Sequence, residues 1–193
     1  MTTWNLMTLD QAPEASREVL GQVQQKFGFL PNLMGVLAHA PSTLSVYVVL
    51  SDLFSRTSLS QVEQQVVLLT VSIQNDCRYC VAAHSVGARV VGVPPDVLAD
   101  LRSGAPLRDA KLEALRQFTQ KMVQSRGWLG EADLQAFAAA GYSRQNVLEV
   151  ILGVALKTIS NYTNHIAGTP LDEAFQAEEW RGCRYPGAGG VRT

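Results

Sequence analysis

Ser60-Gln61-Val62-Glu63-Gln64-Gln65-Val66-Val67-Leu68-Leu69-Thr70-Val71-Ser72-Ile73-Gln74 is the stretch on which the fold turns. Its Val and Ile content suits a β-strand. Two features oppose that reading. The run is far longer than an ordinary strand of about 5–6 residues, and Ser60 with Glu63 three positions on is a capping-box signature. The segment therefore reads as a buried helix.

Working outward, Asn75-Asp76 ends that helix and offers Asp76 as N-cap of the next, from Cys77 to about Val91. Gly92-Val93-Pro94-Pro95 stops it. Upstream, Val19, Leu20, Val23 and Phe27 give helical spacing over Pro13 to Phe27. Phe29-Leu30-Pro31-Asn32 breaks it. A short helix then runs from Asn32 to His39 and another from Pro41 to about Phe54, with Leu44, Val48 and Leu53 expected inward. Downstream, helices are expected over Pro95 to Ser103, Asp109 to Arg126 and Glu131 to Ala140. A long one capped by Ser143 reaches about Ile166, and a last one spans Leu171 to Trp180. No run shows alternating strands joined by a hairpin turn. The expected fold class is all-α, as a single helical domain over residues 1–180 followed by a flexible tail, 181–193, rich in Gly and Arg.

Composition narrows the function. The chain has 193 residues and a formal net charge of -1, so no basic excess exists to hold a phosphate backbone. Nucleic acid and the membrane surface are excluded on that ground. No apolar run is long enough to span a bilayer. Met1 to Gln11 lacks the basic start and apolar core of a signal peptide, which sets the expectation of a cytoplasmic protein. Three cysteines, two of them three apart, are no secreted disulfide framework; they read as redox or metal chemistry.

The chemistry concentrates in Asn75-Asp76-Cys77-Arg78-Tyr79-Cys80-Val81-Ala82-Ala83-His84. Cysteines at i and i+3 share a helical face and lie close enough to form a disulfide. His84, four residues after Cys80, stacks beside the second sulfur, where it can take the thiol proton and, once charged, stabilise the thiolate. Helix-end electrostatics favour Cys77 as the reactive thiol, while proximity to His84 favours Cys80. A structural zinc site would need a fourth ligand from His165, His39 or Cys183, none at ligand spacing. His165, among Asn161, Tyr162 and Asn164, reads as a hydrogen-bonded structural histidine in a polar network. No cofactor is called for; the thiols carry the chemistry.

Residues 59–72, followed by Asn75-Asp76-Cys77-Arg78-Tyr79-Cys80 and His84, resemble the AhpD-like group of the carboxymuconolactone decarboxylase superfamily. Phe29-Leu30-Pro31-Asn32 and Asn161-Tyr162-Thr163-Asn164-His165 extend the likeness to peroxidase-related members. The resemblance implies an AhpD-like helical fold assembling into trimers or hexamers. It implies a hydroperoxide substrate and an external dithiol or disulfide-reductase partner. It assigns Cys80 to peroxide attack, Cys77 to resolution, and His84 with a glutamate of the preceding helix to a proton relay. That glutamate lies twelve residues before the first cysteine, where this chain has Gln65, an amide that cannot accept a proton as a carboxylate does. Glu63 is the nearest carboxylate and is the candidate fourth member of the site, against its competing reading as a capping-box residue. The alternatives to a peroxidase are a disulfide reductase serving a separate peroxiredoxin, or a helical binding protein with weakened turnover.

Overall fold

The structure, a computed structural model, describes residues 4–182. Cys183 and the expected tail from 183 to 193 lie outside the described residues. Among the described residues every regular element is helical. In chain order these are α1 (Glu14–Phe27), α2 (Asn32–Leu37), α3 (Pro41–Ser55), α4 (Gln61–Gln74) and α5 (Arg78–Val90). Then follow α6 (Pro95–Ser103), α7 (Ala110–Gln124), α8 (Glu131–Ala139) and α9 (Arg144–Ala167). A 3-10 turn over Glu173–Glu178 stands where the sequence suggested a last α-helix.

The fold is all-α, and α4 is its axis. Ser60 caps it, accepting from the Glu63 N–H, while the Glu63 carboxylate accepts from the Ser60 N–H at 2.8 Å. Every residue from Val66 to Ile73 is buried, so the strand-like composition of α4 reflects burial on all sides rather than sheet pairing. Around it pack α7, α5, α9, α6 and α3. α9 packs tightly at Gly153, which has no side chain: a Cβ there would sit 2.7 Å from Val67 Cγ1 and 2.9 Å from Phe54 Cε2. On α3, Leu44, Tyr47 and Phe54 face the core. Leu53, expected inward, is instead 47% exposed.

One chain break differs from expectation in a way that matters for the site. Asp76 is not the N-cap of α5. It takes a left-handed conformation, φ 51°, tolerated by Asp more readily than by most residues. The Cys77 N–H turns back to the Ser72 carbonyl at 2.9 Å, and Cys77 itself becomes the N-cap. The helix therefore starts one residue later than read, which puts Cys80 in its first turn.

Candidate functional site

The sulfurs sit where α4, α5 and α9 meet, with Tyr47 of α3 closing one side. Cys77 and Cys80 are free thiols, 1% and 2% exposed. Tyr79, between them, anchors the segment. Its hydroxyl donates to Asp172 Oδ2 at 2.5 Å and accepts from the Leu33 N–H at 3.3 Å, while Asp172 Oδ1 accepts from the Asn32 N–H at 3.0 Å. The Phe29-Leu30-Pro31-Asn32 break thus serves to dock α2 against the cysteine loop.

One face of α9 supplies the surroundings of the sulfurs. Lys157, Ser160, Asn161 and Asn164 lie at helical spacing and are all buried. Asn164 Nδ2 donates to Cys80 Sγ at 3.2 Å and reaches Cys77 Sγ at 3.8 Å. Its Oδ1 is buried with no hydrogen-bond partner among the described residues. Asn161 Oδ1 accepts from Asn75 Nδ2 at 2.9 Å, tying α9 to the end of α4. Ser160 is within hydrogen-bond reach of Cys80 and Tyr47. Lys157, 1% exposed, donates to His84 Nε2 at 2.9 Å, and its charge acts on Cys80. No carboxylate pairs with it among the described residues.

The electrostatics follow. Burial alone pushes the Cys80 thiol up, but the Cys77 thiol hydrogen bond, the Lys157 charge and the Ser160 hydroxyl outweigh it and hold Cys80 well below its ordinary value. The first-turn position in α5 acts in the same direction. Cys77 moves the opposite way, its proton held by the hydrogen bond to Cys80 and by burial. The two thiols titrate as a pair, and the charge resides on Cys80. His84 is pushed well below its ordinary value by burial and by the Lys157 charge, so it is neutral near pH 7 and accepts the lysine's hydrogen bond. Burial opposes a charge on Lys157, yet the facing Cys80 raises it. These directions favour a thiolate on Cys80 facing an ammonium on Lys157, with a neutral imidazole behind the ammonium.

Of the sequence-predicted residues, Cys77, Cys80 and His84 are gathered here, but His84 reaches the sulfur through Lys157 rather than directly. Glu63 is placed elsewhere. Its carboxylate is held by Ser60, by Tyr142 Oη at 3.0 Å and by Lys111 Nζ at 3.1 Å. Burial pushes that carboxyl up, but these bonds more than offset it. The capping reading accounts for Glu63, and a relay role has no geometric support. Gln65 does face α5: its side-chain amide lies 3.8 Å from where a Cβ on Gly87 would stand, one turn beyond His84. His165 is exposed, outside any polar network, because it falls at the edge of the buried face of α9. Lys157, Tyr47 and Ser160 were not singled out. The one available signal was Lys157 as a lone charge within Val154-Ala155-Leu156-Lys157-Thr158-Ile159.

A surface cavity of about 470 Å³ lies beyond Asn75, between α7, α8 and α9, lined by Met122, Leu129, Ile151 and Tyr162 among others. Neither Cys77 nor Cys80 borders it.

Comparison with known proteins bears on the fold. Residues 49–120, which hold both cysteines and His84, match the carboxymuconolactone decarboxylase family. No curated protein sequence matches the chain. Among solved structures, a peroxidase-related protein from Ralstonia eutropha JMP134, described as an alkylhydroperoxidase AhpD core, superposes with a TM-score of 0.79 at 24% identity. That match covers 89% of this chain and 93% of the other. A peroxidase-related protein from Silicibacter sp. TM1040 gives 0.77 at 20% identity, over 91% and 95% of the two chains. A cysteine-to-alanine variant of the debrominase Bmp8, in complex with 2,3,4-tribromopyrrole, gives 0.76 at 17% identity, over 92% and 96%. At such identities these likenesses establish the fold. The chain thus has the AhpD-like fold, and its segment 49–120, which carries the cysteine helix, is similar to the carboxymuconolactone decarboxylase family.

Proposed function

We propose that the chain is a thiol-dependent hydroperoxide reductase in which Cys80 attacks and Cys77 resolves. The observation that carries this reading is the placement of Cys80 in the first turn of α5 against the buried Lys157, with the Cys77 thiol hydrogen-bonded to it. The Cys80 thiolate displaces alcohol from a hydroperoxide and becomes a sulfenic acid. The Cys77 thiol then condenses with it, releasing water and forming a disulfide, which an external dithiol reduces. Asn164 Oδ1 supplies a free acceptor for the hydroperoxide O–H beside the sulfurs. Burial of both sulfurs favours a small oxidant over a protein disulfide.

The test is a single turnover of reduced protein with cumene hydroperoxide, followed by mass analysis of Cys77 and Cys80. Wild type is expected to form the disulfide. Cys77→Ser should stop at a trappable sulfenic acid on Cys80, and Cys80→Ser should not react. Equal thiol loss in wild type and Cys80→Ser would sink the assignment. A second reading is favoured by the fold shared with a debrominase: a bromoarene in place of the peroxide, its C–Br bond breaking as bromine passes to the Cys80 sulfur and the ring carbon takes up a proton, after which the Cys77 thiol forms the disulfide and releases bromide and a proton. Bromide release from a bromopyrrole without hydroperoxide reduction would select it.

Self-assembly belongs to the same proposal. The outer face of α9 exposes Leu148, Ile151, Tyr162 and Ile166 at helical spacing, an apolar stripe of a kind monomers seldom leave in water.

A further inference from the structure

Lys157 presents a problem of charge balance. It is 1% exposed, and the groups facing it are Cys80 and Cys77 from the cysteine turn, His84 from α5 and Tyr47 from α3. None is a carboxylate. His84 is neutral, and burial keeps the Tyr47 phenol protonated. Among the described residues the sole anion available to this ammonium is the Cys80 thiolate. An ordinary buried lysine without an anion loses its proton, because desolvation of the ammonium costs several kcal/mol. The counter-ion of Lys157 is therefore the very atom the reaction consumes.

We propose that Lys157 is the general acid of the thiol site, and that its proton is surrendered on oxidation of the Cys77–Cys80 pair and regained on reduction. This rests on the thiol chemistry proposed above and adds the fate of the proton. In the first step the Cys80 thiolate takes the distal oxygen of the hydroperoxide, the O–O bond breaks, and the alkoxide leaves with the Lys157 proton as alcohol. Cys80 is now a sulfenic acid and Lys157 a neutral amine. The Cys77 thiol attacks the sulfenic sulfur, a disulfide forms, and water leaves carrying the thiol hydrogen and the hydroxyl. The oxidised site holds a disulfide and an amine, both neutral, so no unpaired charge is left buried. An external dithiol returns two electrons and two protons, restoring thiolate, thiol and ammonium. Over the cycle the site exchanges no proton with bulk water on oxidation. His84 positions the ammonium by accepting one of its N–H bonds; it is not the donor.

The stoichiometry gives a test that does not depend on peroxide being the substrate. The reduced protein is oxidised in weakly buffered solution near neutral pH with diamide, a thiol oxidant that takes two electrons and two protons, and proton uptake is read with an indicator dye. Wild type is expected to take up none per disulfide formed. Lys157→Arg keeps a positive charge beside Cys80 but cannot release it, so it should draw one proton from solution per disulfide. Uptake of a full proton by wild type would overturn the proposal, even if neither variant folds. A second arm uses oxidants that differ in leaving group. Lys157→Arg should retain thiolate ultraviolet absorbance at neutral pH, yet reduce tert-butyl hydroperoxide roughly 10²–10⁴-fold more slowly, the usual span of a general acid. It should be far less impaired with peracetic acid, whose carboxylate leaves without a proton. Lys157→Met should lose the thiolate itself. An Arg variant equal to wild type with both oxidants removes the acid role. Wild type that obeys the diamide stoichiometry but reduces no hydroperoxide would instead overturn the substrate assignment and leave the proton coupling standing.

Discussion

His84 and Lys157 divide between them a task that spacing alone gives to one residue. A histidine four positions after a cysteine is read as its base and, when charged, as its partner. In the structure the imidazole is held neutral, and the cation beside Cys80 comes from α9, 73 residues away from His84 in the chain. This predicts a particular pH profile. A thiol whose folded-state value is depressed is a thiolate at every pH above that value and becomes a thiol only as pH falls through it. Alkylation of Cys80 by iodoacetamide should thus be flat across neutrality, apart from slow access, and drop on acidification. His84→Ala should keep that plateau, because the charge it faces remains; Lys157→Met should push the midpoint up to the ordinary cysteine range of about 8.5 or beyond. A midpoint that rises equally in both variants would return the role to His84. Cys77, Cys80 and His84 were legible because one local helix presents them. Lys157 was not, since only tertiary packing brings α9 to them, and a single lysine in an apolar helix is as readily a snorkelling residue as a buried one. Gln65 was legible as a departure, but its consequence was not: with no carboxylate at that position, the site uses a cation on the opposite wall.

At the scale of elements, caps and breakers decided most helix ends correctly, because Ser60, Asp109 and Ser143 bind their own first-turn N–H groups as their spacing suggests. The slip that bears on the site, at Asp76, came from a left-handed residue between two helices, which short-range capping rules do not anticipate. It shifted the first turn of α5 from Cys77 to Cys80 and so reversed the helix-end argument about which sulfur carries charge. Placement of α9 depends equally on one residue. Gly153 lets its backbone approach Val67 and Phe54, and Lys157 follows one turn later on the same face. In Gly153→Ala the added methyl meets a side chain of α4 and the Phe54 ring in a packed core, which costs about 1–3 kcal/mol. Thermal unfolding should show that loss. If α9 shifts to relieve the clash, the Lys157–Cys80 contact loosens and the acid limb of the alkylation profile moves to higher pH. Lower stability with an unaltered profile would mean the strain is absorbed by Phe54 alone.

For the whole molecule, apolar spacing reports that a face is covered, but not by what. Leu53 was read as core on α3 because it repeats at helical intervals with its neighbours, yet it is exposed together with Val46 and Val49. The outer stripe of α9, Leu148, Ile151, Tyr162 and Ile166, is 45–72% exposed along a helix of 24 residues, about 36 Å long at 1.5 Å per residue. Since α3 packs on α9, the molecule carries two neighbouring apolar faces whose coverage by a second copy would remove them from water. Interfaces that obligate subunits share are of this apolar kind. Light scattering should therefore give wild type a mass that is a multiple of 21.0 kDa. Charges placed in the stripe, as in Leu148→Glu with Ile151→Lys, should return it to the mass of one chain with unchanged helical content, because both positions are solvent-facing in the subunit. The inward face of α9 holds Lys157, so dissociation also reports on the site: if assembly stiffens α9, the dissociated variant should keep its thiolate but gain faster access of bulky disulfide reagents to Cys80. A wild-type chain that scatters as a monomer at high concentration would show that this stripe has another use.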